Sequence, residues 1–203
     1  MLENGWEFRT DFSQCTGDQI LGKNSIFEVY LAADKNITSR ASVPVLWDVK
    51  QATIVSNESS EIIRMFNSAF EQISVNELDL YPRTLRTEID ELNAMIYDDV
   101  NNGVYKTGFA TSQKSYTESF TKLFECLEEL EQRLSINRFL LGDKITEADW
   151  RLFTTLVRFD AVYVGHFKCN KKRLCDYPNL WGYTRELYQQ PGVSETVDLE
   201  HIK

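Results

Sequence analysis

Glu58 and Ser59 are the residues whose types and spacing first suggest ligand chemistry, because they lie where an extended pattern ends and a helical pattern begins. The N-terminus of a helix presents unpaired N–H groups and a positive dipole end, which favour a carboxylate. A glutamate beside it would favour an ammonium group. The two residues could therefore bind the opposite charges of an amino-acid head group. A purely structural interpretation stays open, in which Asn57, Ser59 or Ser60 caps the helix.

Pro44 stands near the start of the extended stretch that precedes this corner. Proline cannot donate to a β-ladder, so the strand is expected to lie at a sheet edge or to be distorted there. A cis Val43-Pro44 bond would present the Val43 backbone to an extended peptide ligand. Only about 5 to 6% of X-Pro bonds in folded proteins are cis, so the local sequence favours trans.

The cysteines and histidines show no spacing typical of a metal site or a redox pair. There are four cysteines without a C-x-x-C motif and only two histidines, so no structural metal is expected. Cys126 lies among helical apolar positions and is interpreted as a small core residue. Cys169 and Cys175 lie in a polar stretch and are expected to be surface thiols.

Composition limits the class of partner. The 203 residues are 42% hydrophobic and carry a net charge of -9, which indicates a globular protein and argues against a nucleic-acid partner. The basic run from Lys168 to Arg173 is interpreted as a solvated loop. No apolar run approaches membrane-spanning length and no signal pattern is present, so we expect a cytoplasmic protein without a membrane partner.

The elements that position the corner are a hairpin and a following helix. Residues 1–25 predict an irregular segment, and residues 26–34 predict a short helix, although a strand is not excluded. Residues 43–48 and 52–57 are rich in β-branched side chains and predict a hairpin. Helical spacing of apolar residues begins at Ser59.

The remaining chain is predicted to be helical. One apolar stripe runs from Leu85 to Ile96 and is expected to end near Asn101, Asn102 and Gly103, and a second runs from Phe120 to Leu134.

A third helix is predicted to begin at Thr146, which forms a capping-box pattern with Asp149, and a fourth near residues 180–188. Strands first and helices afterwards predict an α+β fold of two packed subdomains.

Several segments resemble one family closely. They are "LENGW", "VPVLWDVKQATIVSNESSEIIRMFN", "ELNAMIYDDVNNGVYKTGFA", "ITEADWRLFTTLVRFDAVYVGHFKCN" and "YPNLWGYTRELYQQPGVSETV". The match covers essentially the whole chain and is similar to the glutathionyl-hydroquinone reductases, also called Xi-class glutathione transferases. The resemblance implies a partial thioredoxin-like glutathione-binding domain over residues 1–72 and an all-α transferase domain over residues 73–203. It also implies glutathione as co-substrate, an aromatic hydroquinone thioether as substrate, and a homodimer.

The resemblance also implies roles for individual residues. Tyr105 would transfer a proton and Tyr163 would lower the pKa of the catalytic thiol, although a buried tyrosine at Tyr163 could serve packing alone. Residues implied to bind glutathione are Trp6, Arg40, Ala41, Ser42, Val43 beside a cis-Pro44, Glu58 and Ser59. Trp6 could instead be a core anchor for the irregular lead-in.

The family nucleophile is absent from this sequence. Family members carry a cysteine in a Cys-Pro-Trp-Ala-His-Arg motif upstream of "LENGW", and they continue beyond a segment like "LEHIK". Cys15 lacks a following proline and is not expected to replace it. We therefore expect a fragment that is inactive by itself. A non-catalytic glutathione-binding or scaffold protein and an omega-like thiol transferase remain alternatives.

Overall fold

The computed structural model describes residues 5–12, 14–70, 73 and 78–203. The chain divides into two compact units, residues 1–78 and 79–203, and each is described by itself. The stretch "SVNELDLYP", between the two predicted subdomains, is predicted from sequence to be a linker, and its residues 74–77 lie outside the described residues. The same holds for the first three residues of the "LENGW" segment.

Among its described residues, the first unit is built on a two-stranded antiparallel hairpin flanked by two helices. Its elements are α1 (Ile26–Ala33), β1 (Leu46–Asp48), β2 (Thr53–Ser56) and α2 (Ser59–Ser68). Trp47 pairs with Ile54 in the hairpin register. The predicted order of hairpin and helix is confirmed, with strands shorter than the sequence suggested.

Helix α1 settles the ambiguity over residues 26–34. Ser25 and Glu28 form a capping box at its start, which satisfies N–H groups that a strand would have used in a ladder. Ile26, Val29 and Tyr30 are buried on its inner face against the hairpin side chains Trp47 and Ile54. This small core holds the segments that surround the corner.

The second unit is helical. Its helices are α3 (Arg86–Met95), α4 (Gly103–Gly108), α5 (Gln113–Leu134), α6 (Glu147–Arg158), α7 (Pro178–Tyr188) and α8 (Leu199–Ile202). Two π-helical segments, π1 (Ile96–Asn101) and π2 (Phe159–Tyr163), extend α3 and α6, and 3-10 turns cover Arg83–Leu85, Leu174–Asp176 and Ser194–Thr196. A buried apolar core, including Ile96, Phe124, Leu127 and Phe159, lies between the helices. Within the part of the chain that the structure describes, each helix is too short or too polar to span a lipid bilayer.

The predicted helix end near Asn101, Asn102 and Gly103 is wrong. The helical path continues through π1 into α4 and ends at Gly108. The Asn101 amide does not break the helix, because it donates to the Arg151 carbonyl at 3.0 Å and to Thr155 Oγ1 at 2.6 Å on α6. Tertiary hydrogen bonds therefore override the usual preference of asparagine for helix ends.

The capping box at the start of α6 is confirmed. Asp149 is fully buried and accepts from the Thr146 N–H at 2.7 Å and the Thr146 hydroxyl at 2.9 Å. Its other oxygen accepts from the Leu140 N–H at 2.9 Å and the Tyr183 hydroxyl at 2.9 Å. The carboxylate therefore joins α6 to the preceding loop and to α7.

One cysteine prediction is wrong. Cys126 is buried as expected and Cys175 is exposed, but Cys169 is fully buried despite its polar sequence neighbours. The Cys169 N–H donates to the Tyr163 carbonyl at 3.0 Å, which closes the turn after π2 and draws the side chain into the core. In the basic run, the Lys172 ammonium nitrogen lies 3.6 Å from the ring centroid of the buried Tyr177, a cation-π contact.

Candidate active site

The corner at Glu58 is not closed by a side-chain cap. Glu58 is the N-cap of α2, and its side chain makes no cap hydrogen bond. Glu58 and Ser59 are both exposed. The N–H groups of Ser59 and Ser60 have no hydrogen-bond partner among the described residues. The interpretation in which Asn57, Ser59 or Ser60 caps the helix is therefore wrong, and the two amides are free for a ligand.

Among the described residues, Ser56, and not its neighbours Asn57, Ser59 or Ser60, makes the side-chain hydrogen bonds to the start of α2. Its buried hydroxyl accepts from the Glu58 N–H at 3.1 Å and donates to the Glu61 carboxylate at 2.8 Å. This pair of bonds shapes the start of α2 from inside the last strand. The sequence signal for this arrangement was a serine followed five residues later by a glutamate where the strand gives way to the helix. That pair was not identified from the sequence.

Tyr30 links the two backbone segments that the sequence had treated separately. Its hydroxyl donates to the Ser42 carbonyl at 2.9 Å and accepts from the Asn57 amide at 2.9 Å. The Asn57 amide also donates to Ser42 Oγ at 3.2 Å. Burial opposes ionisation, but the hydrogen bonds from Ser42 and Asn57 lower the pKa of Tyr30. Because Ser42 precedes Val43 and Asn57 precedes Glu58, this network brings the two candidate binding segments together.

Val43 and Pro44 have the backbone that the resemblance implied. The Val43-Pro44 bond is cis, against the preference of the local sequence. Val43 is 51% exposed, and its backbone groups form no hydrogen bond among the described residues. Arg40, Ala41 and Ser42 precede it in a segment outside helix and strand.

Trp6 does not anchor the core. Its side chain is 59% exposed, while its carbonyl accepts from the Ile26 N–H at 2.9 Å. The alternative in which Trp6 is a core anchor is therefore wrong. The backbone bond fixes the position of Trp6 at the start of α1 and leaves the indole available.

In the second unit, the structure brings the two predicted tyrosines together. The hydroxyls of Tyr105 on α4 and Tyr163 at the end of π2 are 3.0 Å apart, within hydrogen-bond distance. Tyr163 is 3% exposed and Tyr105 is 43% exposed. The rings meet edge to face at 5.7 Å and 79°. The pair therefore joins a buried phenol to one that solvent or a ligand can reach.

The environment keeps the inner phenol protonated. Burial raises the pKa of Tyr163, and the hydrogen bond and charge interaction with Tyr105 raise it further. A phenol that holds its proton in this way can donate a hydrogen bond to an oxyanion. If Tyr105 gave a proton to a substrate, Tyr163 could stabilise the phenolate that remains.

Three of the four thiols among the described residues are not activated nucleophiles. Burial raises the pKa of both Cys126 and Cys169 to about 12. Burial and the neighbouring Asp160 raise the pKa of Cys175. A raised pKa leaves little thiolate at neutral pH. Cys15 lies in the irregular lead-in, outside helix and strand.

Comparison with known proteins gives a consistent group of relatives. The family described as "Glutathione S-transferase, C-terminal domain" matches residues 113–186. The Escherichia coli K12 protein named glutathionyl-hydroquinone reductase YqjG is 57% identical over 203 residues, covering all of this chain and 62% of that protein. Its glutathione-bound structure matches with a TM-score of 0.98, over 100% of this chain and 66% of that one.

Two fungal relatives extend the group. The Phanerochaete chrysosporium protein described as glutathione-S-transferase Xi has a structure that matches with a TM-score of 0.96 at 48% identity, over 99% of this chain and 70% of that one. A Schizosaccharomyces pombe protein named glutathione S-transferase omega-like 2 is 50% identical over 211 residues, covering 100% of this chain and 67% of that protein. The chain thus spans 62% of the length of the bacterial reductase and somewhat more of the fungal proteins.

Proposed function

The chain belongs to the Xi class of glutathione transferases, and from that premise we propose that it is part of a glutathione-dependent reductase of S-glutathionyl-hydroquinones. The hydrogen-bond network of Tyr30 carries the glutathione half of this proposal, because it joins an exposed backbone at Val43 to an uncapped helix start at Glu58. A tripeptide thiol with one ammonium group and two carboxylates suits such a pair of segments.

The proposed binding mode uses the two segments for different parts of glutathione. The Val43 backbone pairs with the cysteinyl residue, since its N–H and carbonyl groups are unpaired among the described residues. The free amides at Ser59 and Ser60 bind the γ-glutamyl carboxylate, and Glu58 binds the ammonium group. Arg40, Ala41, Ser42 and the exposed Trp6 indole complete the glutathione contacts.

The proposed reaction removes glutathione from an aromatic ring. A cysteine thiolate attacks the thioether sulfur, the ring carbon takes the bonding electron pair and a proton, and an enzyme-glutathione disulfide forms. A second glutathione reduces that disulfide, so the hydroquinone thioether and one glutathione give hydroquinone and glutathione disulfide. The resemblance assigns the thiolate to the cysteine of the Cys-Pro-Trp-Ala-His-Arg motif.

The two tyrosines have separate roles in this proposal. Tyr105 delivers the proton to the leaving ring, because it is the exposed residue of the pair. Tyr163 holds its own proton and hydrogen-bonds to Tyr105 at 3.0 Å, so it stabilises the phenolate left after transfer. Its role in lowering the pKa of the thiol belongs to the same proposal.

The oligomeric state and the cellular location are part of the same proposal. We infer a homodimer, as the resemblance implies, and a cytoplasmic location, as the sequence pattern predicts. Sedimentation of the purified protein at increasing concentration tests the dimer directly, since a chain of 23.6 kDa would then sediment at twice that mass.

Calorimetric titration of the chain with glutathione tests the binding half. Hydrogen bonds to charged groups contribute about 1.5 to 3 kcal/mol, so Glu58→Ala is expected to weaken the affinity roughly tenfold to a hundredfold. Glu195→Ala removes the same charge from an exposed position in the other unit and should leave the affinity unchanged. Equal affinities in all three proteins would contradict the proposed corner.

A thiol transferase acting on mixed disulfides is the second candidate, favoured by the similarity to the omega-like protein of Schizosaccharomyces pombe. The two functions differ in whether a ring carbon must be protonated. A disulfide substrate leaves as a thiolate and does not need Tyr105. Comparable loss of turnover on hydroquinone thioethers and on mixed disulfides in Tyr105→Phe would favour neither, whereas a loss confined to hydroquinone thioethers supports the reductase.

A further inference from the structure

Phe167 lies between the rings of the tyrosine pair and a third aromatic side chain. Its ring centroid lies 5.3 Å from that of Tyr105, with the ring planes at 90°, and 5.3 Å from that of Tyr163, with the planes at 73°. It also meets Phe109 at 5.3 Å and 69°. All three contacts are edge-to-face arrangements, which favour specific ring orientations beyond simple burial. Phe167 therefore contacts both phenols whose hydroxyls are hydrogen-bonded.

The absence of a side chain at Gly108 makes room for Phe167. A Cβ added at Gly108 would lie 2.2 Å from Phe167 Cδ1 and 2.8 Å from Phe167 Cβ. By contrast, a Cβ at Gly103 in the same helix would make ordinary contacts with Leu123 at 3.7 Å. Gly108 does not have a positive φ, so it is required for this close approach and not for backbone conformation.

Two hydrogen bonds hold the backbone that directly follows Phe167. The Cys169 N–H donates to the Tyr163 carbonyl at 3.0 Å, and the Tyr116 hydroxyl donates to the Lys168 carbonyl at 2.9 Å. Lys168 has a φ of 58°, a conformation that ends a helix sharply. A side chain at Gly108 would therefore displace the Phe167 ring itself, because the backbone that follows the ring is held in place.

We propose that Phe167, seated on Gly108, is the positioning residue that holds Tyr105 in hydrogen-bond contact with Tyr163. This inference rests on the proposed function of the two tyrosines and adds the group that orients them. Tyr105 is the accessible member of the pair and has no other hydroxyl partner among the described residues. Contact with the Phe167 ring therefore selects the orientation in which the two hydroxyls meet.

The test is Gly108→Ala, with Gly182→Ala as its matched control. Gly182 lies within α7, and a Cβ there meets nothing within 4 Å, so the same substitution adds no clash. The readout is the pH titration of tyrosines labelled with ¹³C at Cζ, followed by NMR. Besides Tyr105, the charged or titratable groups that act on Tyr163 are Arg158 and Cys169, and neither substitution alters them.

Displacing Phe167 is expected to separate the hydroxyls and admit water, so the Tyr163 signal in Gly108→Ala should titrate at lower pH than in wild type. Gly182→Ala should match wild type. Phe167→Leu removes the ring without adding a clash and should shift the titration in the same direction, which keeps the test valid if Gly108→Ala does not fold. An unchanged Tyr163 titration in Phe167→Leu would overturn the proposal.

Kinetics separate this inference from the proposed function. In the full-length protein, Gly108→Ala should lower kcat for a glutathionyl-hydroquinone roughly tenfold to a hundredfold, since a 1 Å misplacement of a reacting group can cost about that much. The KM for glutathione should stay within about twofold, because the substitution acts on orientation and not on uniform binding. Unaltered kcat with a shifted titration would contradict the proposed roles of the tyrosines while leaving the positioning contact intact.

Discussion

Asp149 provides the sharpest stability prediction, because a single buried carboxylate satisfies four donors from three segments. It accepts from Leu140, from two groups of Thr146 and from Tyr183 at distances of 2.7 to 2.9 Å. Burial, and next the negative charge of Asp149, raise the pKa of Tyr183 well above its usual value, so its hydroxyl remains a donor. Asp149→Ala would leave the Leu140 N–H and both Thr146 donors without an acceptor, while the Tyr183 hydroxyl would keep only the backbone carbonyl of residue 149 at 3.4 Å.

The magnitude follows from the number of donors left unpaired. Each unsatisfied buried group costs about 1 to 3 kcal/mol, and single substitutions seldom exceed about 5 kcal/mol because the site relaxes. We therefore expect Asp149→Ala to lower the free energy of unfolding by about 3 to 5 kcal/mol. Asp149→Asn keeps one acceptor oxygen but turns an NH₂ group toward two donors, so about 1 to 3 kcal/mol is expected.

Urea unfolding followed by circular dichroism at 222 nm measures the effect. With a slope of about 2 to 3 kcal/mol/M, the midpoint of Asp149→Ala should fall by roughly 1 to 2 M. Asp176→Asn is the matched control, because Asp176 occupies a capping box at an exposed 3-10 turn, so its urea midpoint should fall far less than that of Asp149→Ala. Equal midpoints for Asp149→Ala and Asp176→Asn would refute the reasoning.

Two further predictions concern the second unit. Glu131 on α5 accepts from the Asn179 and Leu180 N–H groups at 2.9 and 2.7 Å and so caps α7. Glu131→Gln should lower the free energy of unfolding by about 1 to 2 kcal/mol. Thermal unfolding measures this effect, and the exposed Glu129→Gln should cause no change. Burial raises the folded-state pKa of Cys126 and Cys169 to about 12, so these thiols keep their protons at a pH where unfolded thiols lose theirs. Their contribution to the free energy of unfolding is therefore complete below about pH 8.5. It is lost as pH rises toward 12, at about 1.4 kcal/mol per pH unit for each thiol. Cys126→Ala should reduce that alkaline slope, and an unchanged slope between pH 9 and 10 would count against burial as the cause.

Local sequence patterns correctly predicted the elements whose determining residues lie close together in the sequence. The capping box of Thr146 and Asp149 and the apolar spacing of α5 are confirmed, because both depend on neighbours three or four residues away. The hairpin was also predictable from β-branched residues on both sides of a short loop.

The errors arose where distant residues decide the outcome. Asn101 was predicted near a helix end, but its partners are Arg151 and Thr155, about fifty positions later. Cys169 was predicted to be exposed from its charged neighbours, yet a turn closed on Tyr163 buries it.

In the candidate site, the free helix start could be suspected from sequence, and the Tyr105 and Tyr163 roles came from family resemblance. The contribution of Tyr30 could not be predicted locally, since its partners Ser42 and Asn57 lie 12 and 27 positions away. A hydroxyl that joins three segments leaves no periodic or motif signal in any one of them.

The most direct test of the central claim is the release of free hydroquinone from an S-glutathionyl-hydroquinone, followed chromatographically with the full-length protein and glutathione. Wild type should release hydroquinone and form glutathione disulfide in equal amounts, and Tyr105→Phe should be slower by roughly a hundredfold or more, since a positioned general acid contributes about 10²- to 10⁴-fold. Absence of release by the wild-type protein, or full activity of Tyr105→Phe, would contradict the assignment of this chain to hydroquinone thioether reduction through its tyrosine pair.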